Sequence, residues 1–377
     1  MKKVIFFLLP FFFFIIPYII AKISAKIILD TPLPPLQADL LRQKALKAGF
    51  CSIPTDTKKM LQLVNTSDNL LNSSKIELGR ELYFDPSLSK DGTISCASCH
   101  DLDKGGDDGR SAAIGYKNQI NPHHLNSPTV LNAALESFQF WDGRAKTVEE
   151  QAAGPIQAPF EMASTPKEVV QKVANNSRYK ELFRKAFGDD TITFKRITQA
   201  IGAYERTLLT RSRFDSFLDG NLTALSKKEQ RGLNLFIDVG CKACHFGLSI
   251  GGRIIQKFPM NSYNAPLYPI FGIHGSHYYF KGIVADTNVS NMPYPFPNLG
   301  HYYGKNDAQM FKVPILRNIT KTAPYFHNGS VKNLKEVIHI MAKYQRGVEL
   351  EKNQIDDIEA FLHSLEGEIV DYNFSAI

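Results

Sequence analysis

One pattern occurs twice in this chain: Cys96-Ala-Ser-Cys99-His100 and Cys241-Lys-Ala-Cys244-His245, 145 residues apart. The flanks match as well. Gly79-Arg-Glu-Leu82-Tyr83-Phe84-Asp85 precedes the first copy and Gly105-Gly106 follows it. Gly232-Leu-Asn-Leu235-Phe236-Ile237-Asp238 precedes the second and Gly251-Gly252 follows it. Each copy reads as a short amphipathic helix with an aromatic residue near its end, leading into a cysteine turn. Two copies of one supersecondary unit imply two domains of the same small fold. A chain of 377 residues is long enough to give each its own core.

The spacing has a mechanical meaning. Two thiols three residues apart on one turn reach the two vinyl groups of a haem edge, and the following histidine points its imidazole at the iron. A zinc site would need four ligands around one ion, with its cysteine pairs ~15–20 residues apart. A thioredoxin-type dithiol has no need of a histidine at that position. The doubled motif with matched flanks therefore predicts two covalently bound haem c groups, on Cys96, Cys99, His100 and on Cys241, Cys244, His245.

The N-terminus points to an exported chain, which agrees with the doubled haem motif. Lys2 and Lys3 precede an apolar run from Val4 to Ile20, with small residues at Ser24 and Ala25. Residues 1–25 thus read as an export signal. The run is at the short end of the ~20 residues that span a bilayer, and Lys22 and Lys26 follow closely, so an uncleaved inner-membrane anchor stays open beside a cleaved signal peptide. Either way the rest is expected in the periplasm. Cys51 is left over, and an odd cysteine there is expected to be buried or paired between molecules.

Between the motifs the three-to-four spacing of apolar residues predicts helices over 38–48, 165–187, 193–210, 227–238, 333–344 and 354–365. Asn333 and Glu336 stand in capping-box spacing. Segment 253–311, rich in Gly, Pro, Asn and Tyr, reads as a long loop region. The fold class is mainly α, two cytochrome-c-like domains, 75–215 and 216–377, joined near 211–226; residues 26–74 form an N-terminal extension. The net charge of +7 is spread along the chain, with no basic block to suggest nucleic acid.

What faces each iron opposite its histidine is less legible. Candidates are the methionines at 260, 292, 310 and 341 and the remaining histidines. Met is a soft ligand that raises a haem potential, but Met341, on an apolar helical face, reads first as a core methionine.

Four stretches carry a resemblance: Phe84-Asp-Pro-Ser-Leu-Ser-Lys-Asp-Gly-Thr-Ile-Ser-Cys96, Phe140-Trp-Asp-Gly-Arg144, Phe311-Lys-Val-Pro-Ile-Leu-Arg-Asn318 and Thr322-Ala-Pro-Tyr-Phe-His-Asn-Gly329. Over residues 75–368 the chain resembles the bacterial dihaem cytochrome c peroxidases, a family that includes the dihaem enzyme of methylamine dehydrogenase maturation. The resemblance implies a peroxidatic haem on His100 and an electron-entry haem on His245, with Met341 as its distal ligand. The maturation branch has a tyrosine at that position. It also implies catalytic roles for Glu161 as acid/base, Gln151 in the pocket and Trp141 between the haems, and a calcium ion bound by Asn126, Thr322 and Pro324.

One position departs from the family. Tyr116 falls where a histidine often caps the peroxidatic haem, with His123 and His124 close by. The expectation is that Tyr116 does not cap the iron. The implied activity is reduction of hydrogen peroxide to water with electrons from a small cytochrome or cupredoxin; a homodimer is left open. The rival readings are a dihaem electron carrier and a maturation-type oxidase acting on a partner protein.

Overall fold

Gly79 and Gly232, equivalent positions of the repeat, each lie where two helices cross. The computed structural model describes residues 35–260 and 294–375. The export segment 1–25, the start of the extension, Met292 and most of the predicted loop region lie outside the described residues. Helices run over Pro35–Lys47 (α1), Thr57–Val64 (α2), Ser73–Tyr83 (α3), Val148–Gln157 (α4), Pro166–Ala174 (α5), Ser177–Phe187 (α6), Phe194–Glu205 (α7), Arg213–Leu218 (α8), Lys227–Asp238 (α9), Leu334–Ile340 (α10) and Lys352–His363 (α11). Four short strands form two antiparallel pairs: Thr210–Ser212 (β1) with Gly367–Ile369 (β4), and Ile255–Lys257 (β2) with Met310–Lys312 (β3).

In the first half α3 crosses α7; in the second, α9 crosses α11. A Cβ on Gly79 would lie 1.8 Å from the carbonyl oxygen of Ala200, and one on Gly232 would lie 1.8 Å from that of Asp357. Each crossing is therefore backbone against backbone. Around the first, Leu78, Leu82, Val169, Phe183 and Ile197 form a core. Around the second, Phe214, Leu233, Phe236, Ile358 and Phe361 form another. The structure is thus helix-rich with little sheet, as the apolar periodicity predicts.

The extension straps both halves. Lys44 of α1 donates to Asp238 (2.5 Å) and Asn234 (2.7 Å) on α9, while Met60 and Val64 of α2 pack with Tyr83 and Tyr204. At the junction Arg317 and Asp215, both fully buried, are paired at 2.8 Å. Asp215 also accepts from the Ile53 amide. Cys51 is exposed, so it is not the buried residue that one of its two readings required.

The predicted elements differ in detail from those observed. The 165–187 pattern is two helices, because Asn175 ends one and the Asn176 side chain caps the next by accepting from the Arg178 amide. The helix after 193 stops at Glu205, where the chain turns toward β1. The 333–344 pattern changes from α to a π-helical turn at Met341–Gln345; such single turns are frequent at functional sites. Residues 255–257, inside the expected loop region, form a strand paired with residues 310–312 at that region's end.

Adding a methyl at a backbone-to-backbone crossing is overpacking that the helices can relieve only by separating. Gly232→Ala should lower stability by about 1–3 kcal/mol, read as a lower midpoint in chemical denaturation, whereas Gly188→Ala adds a Cβ that meets nothing within 4 Å and reports only the cost of its left-handed φ.

Candidate functional site

Both cysteine motifs fold into the same turn. In the first, the Cys99 and His100 amides donate to the Cys96 carbonyl at 3.2 and 3.0 Å; in the second, those of Cys244 and His245 donate to the Cys241 carbonyl at 3.2 and 3.0 Å. Each imidazole is then fixed by the loop that follows. His100 Nδ1 lies 3.4 Å from the Gly106 carbonyl oxygen, and His245 Nδ1 lies 3.3 Å from that of Ile250. A backbone acceptor at Nδ1 keeps the proton there and leaves the Nε2 lone pair free for a metal. Burial lowers the pKa of both rings, that of His245 to about 4, so both are neutral. Burial likewise raises the Cys99 and Cys241 thiols to about 12 and those of Cys96 and Cys244 upward.

Each turn forms one wall of a separate cavity. About 1200 Å³ of empty space, part of it open to solvent, surrounds Cys96, Cys99 and His100. About 1650 Å³ surrounds Cys241, Cys244 and His245. Apolar side chains make up most of both linings. Two thiols and one neutral imidazole on one wall of an apolar cavity are what a covalently bound haem requires, so the residues present fit the group.

The two cavities differ in what stands beyond their histidines. Glu161, Gln151 and Arg144 line the first cavity only. Glu161 lies in the loop after α4, with the Asn121 amide 3.5 Å from its Oε1. Burial raises its carboxyl pKa, and Arg144 opposes this more weakly. The Glu161 carbonyl accepts from the Tyr116 amide at 2.7 Å, and a Cβ on Gly115 would lie 2.1 Å from the Phe160 carbonyl oxygen. Gly115 lines the cavity, whereas Tyr116, His123 and His124 do not. The Tyr116 ring instead has the Lys117 and Lys90 ammoniums 5.4 and 6.0 Å from its centroid.

Met341 and, of the candidate histidines, His327 line the second cavity with His245; Met260 and Met310, the other described methionines among the candidates, line neither cavity. Trp141 lines both cavities. Its Nε1 donates to the Asn126 carbonyl at 2.8 Å, and its ring meets that of His327 edge-on at 6.4 Å. Asn126, Thr322 and Pro324 converge on the second cavity's lining. The Asn126 amide nitrogen donates to the Pro324 carbonyl at 2.6 Å, while its Oδ1 is buried without a partner.

Several lining residues carried no signal in the sequence reading. Glu205, on α7, is buried in the first cavity, and burial raises its pKa to about 8. Lys312 lines both cavities, and Glu136, paired with it, lines the second. The available clue was an extension of the repeat: Asn126-Ser-Pro128-Thr-Val-Leu-Asn132 corresponds to Lys312-Val-Pro314-Ile-Leu-Arg-Asn318. Both terminal asparagines have positive φ, 62° and 58°, and both donate to the Thr210 hydroxyl.

Comparison with known proteins agrees with this architecture. Residues 73–223 match the family model for di-haem cytochrome c peroxidase, and residues 310–346 match one for RoxA-like, cytochrome c-like proteins. The chain is 42% identical over 302 residues to the cytochrome c551 peroxidase of Nitrosomonas europaea, covering 80% of this chain and 82% of that protein. It is 37% identical to the cytochrome c551 peroxidase of Pseudomonas aeruginosa, covering 91% of each. Among solved structures, a MauG-like protein associated with microbial copper homeostasis superposes with a TM-score of 0.63 at 26% identity, covering 81% of this chain and 92% of that one.

Proposed function

The chain belongs to the di-haem cytochrome c peroxidase family, and from that membership we propose that it is an exported enzyme that reduces hydrogen peroxide to water with electrons from a small cytochrome or cupredoxin. The observation that carries this reading is the inequality of two otherwise matched cavities: Glu161 and Gln151 line only the His100 cavity, and Met341 only the His245 cavity. A haem held by Cys96, Cys99 and His100 would supply an iron for peroxide, and one held by Cys241, Cys244 and His245 would supply a redox centre for the donor's electrons.

The remaining work falls to this chain's side chains. Per turnover one hydrogen peroxide, two electrons and two protons give two waters. Glu161 takes the proton from the inner peroxide oxygen and returns it to the outer one as the O–O bond breaks. The Gln151 amide holds the peroxide by a hydrogen bond. Trp141, anchored through Nε1 on Asn126, keeps its indole in the wall common to both cavities. Met341, in the same cavity as His245, would help hold the second haem through its soft sulfur, and it supports the peroxidase reading over the maturation one. Tyr116, outside the lining, would leave room in the His100 cavity for peroxide.

Asn126, Thr322 and Pro324 are assigned to a calcium ion, held by the unpartnered Asn126 Oδ1 and by backbone carbonyls, the oxygen set that suits a hard cation. Residues 1–25 direct export to the periplasm.

Glu161→Gln tests the assignment. Loss of a positioned acid/base costs ~100-fold or more, so turnover with peroxide and a reduced small cytochrome should fall by that factor with two haems still attached. Unchanged turnover would remove Glu161 from the chemistry. Burial holds the Glu161 pKa above that of an exposed glutamate. The proton-accepting form is therefore lost as pH falls through that raised value, and the acid limb of the pH–rate profile should lie above the ordinary carboxyl range and vanish in Glu161→Gln.

Met341→His exchanges a ligand that raises the potential for one that does not. In a spectroelectrochemical titration it should lower the midpoint potential of one haem and leave the other in place.

A further inference from the structure

Among the described residues that line both cavities, Lys312 alone has a charged side chain. Lys312, the last residue of β3, lines both cavities with a side chain only 3% exposed, and its Nζ lies 2.5 Å from Oε2 of Glu136, which is 2% exposed. The other lysine and arginine side chains of the linings face one cavity each: Arg144 the first, Lys257 and Arg346 the second. The position of Lys312 is fixed from its backbone, whose amide donates to the Trp141 carbonyl at 2.8 Å. Glu136 is held from the loop after the second cysteine motif. A Cβ on Gly252, at φ +74°, would lie 2.5 Å from the Glu136 Cγ, and the Ser137 amide donates to the Gly252 carbonyl at 2.9 Å. Glu136 lines the second cavity alone, and its Oε1 is buried without a partner.

Stability does not account for this pair. Taking both charges out of water costs several kcal/mol per ion, and replacing a buried pair with apolar residues is often neutral or stabilising. What a buried charge does well is act on other charges through a medium of low dielectric. Each electron that enters a cavity adds one unit of negative charge there. An ammonium facing both cavities favours that charge in either one, and a carboxylate facing only the second opposes it there. We propose that the Lys312–Glu136 pair sets the electron affinity of both redox centres, Lys312 as their shared ammonium and Glu136 as a counter-charge weighted toward the second. The proposal rests on the reading above that each cavity holds one haem.

The test uses the full chain with its haems attached, as wild type, Lys312→Gln and Glu136→Gln. Haem per chain is counted by pyridine haemochrome absorbance, and both midpoint potentials are measured by spectroelectrochemical titration. Lys312→Gln should lower both potentials by at least a tenfold shift in the oxidised-to-reduced ratio, about 59 mV for one electron. Glu136→Gln should raise them, the second haem's more than the first's. A residue that merely supports the fold would move both variants the same way. Potentials unchanged, or displaced in one common direction, would therefore overturn the proposal while two haems per wild-type chain left the underlying reading standing. Fewer than two haems in the wild type would remove that reading and the proposal with it. Should Lys312→Gln fail to fold, Glu136→Gln decides alone, since a potential that stays or falls there overturns the assignment.

Discussion

Among the backbone hydrogen bonds that cross between the halves, two are reciprocal and join equivalent positions of the repeat. The Asn126 amide, in the first half, donates to the His327 carbonyl of the second, and the Lys312 amide, in the second, donates to the Trp141 carbonyl of the first. Asn126 and Lys312 occupy equivalent places in the extended repeat. So do Trp141 and His327, each following a phenylalanine with positive φ, Phe140 at 66° and Phe326 at 67°. Neither half therefore closes its cavity alone. Each lends the other a segment, and the exchange creates one wall with a face in both cavities. Thr210 ties the exchange to the junction by accepting from Asn132 and Asn318 together.

Much of this was legible in the sequence, where local chemistry leaves a local trace. The cysteine turns, the helices before them and the glycine pairs after them are short-range patterns, and the structure repeats them twice. The helix break at Asn175-Asn176 was also local, but apolar periodicity runs through it, and the capping role of Asn176 is visible only once the two axes diverge. The pairing of Glu136 with Lys312 spans 176 residues. Each residue alone reads as a solvated charge, and only the crossing of the halves buries both. Met341 is intermediate. Its periodicity marks a buried face, which a core methionine would share, and only resemblance singled it out.

The repeat also explains how two equal modules acquire different properties. The elements that fix the imidazoles, a backbone carbonyl at each Nδ1 and a glycine at each helix crossing, match between the halves. The differences sit on segments the crossings do not constrain. In the first half the loop after α4 carries Glu161 into the cavity, braced by Gly115. In the second, the change from α10 to a π-helical turn begins at Met341. That change re-aims the residues after it without disturbing the packing of α10, whose Leu334 and Ile338 stay in the core.

Burial then determines what those divergent residues can do. Glu161 and Glu205 both line the first cavity, and in both the loss of solvent favours the neutral acid. Arg144, whose guanidinium lies 3.5 Å from the centroid of the Phe140 ring, restores part of the ionised form at Glu161. Glu205 receives such help from Arg206, but Glu149 opposes it, and Glu149 itself is engaged by the Arg206 guanidinium. In both carboxyls burial is the largest influence, and the neighbouring charges only modify it.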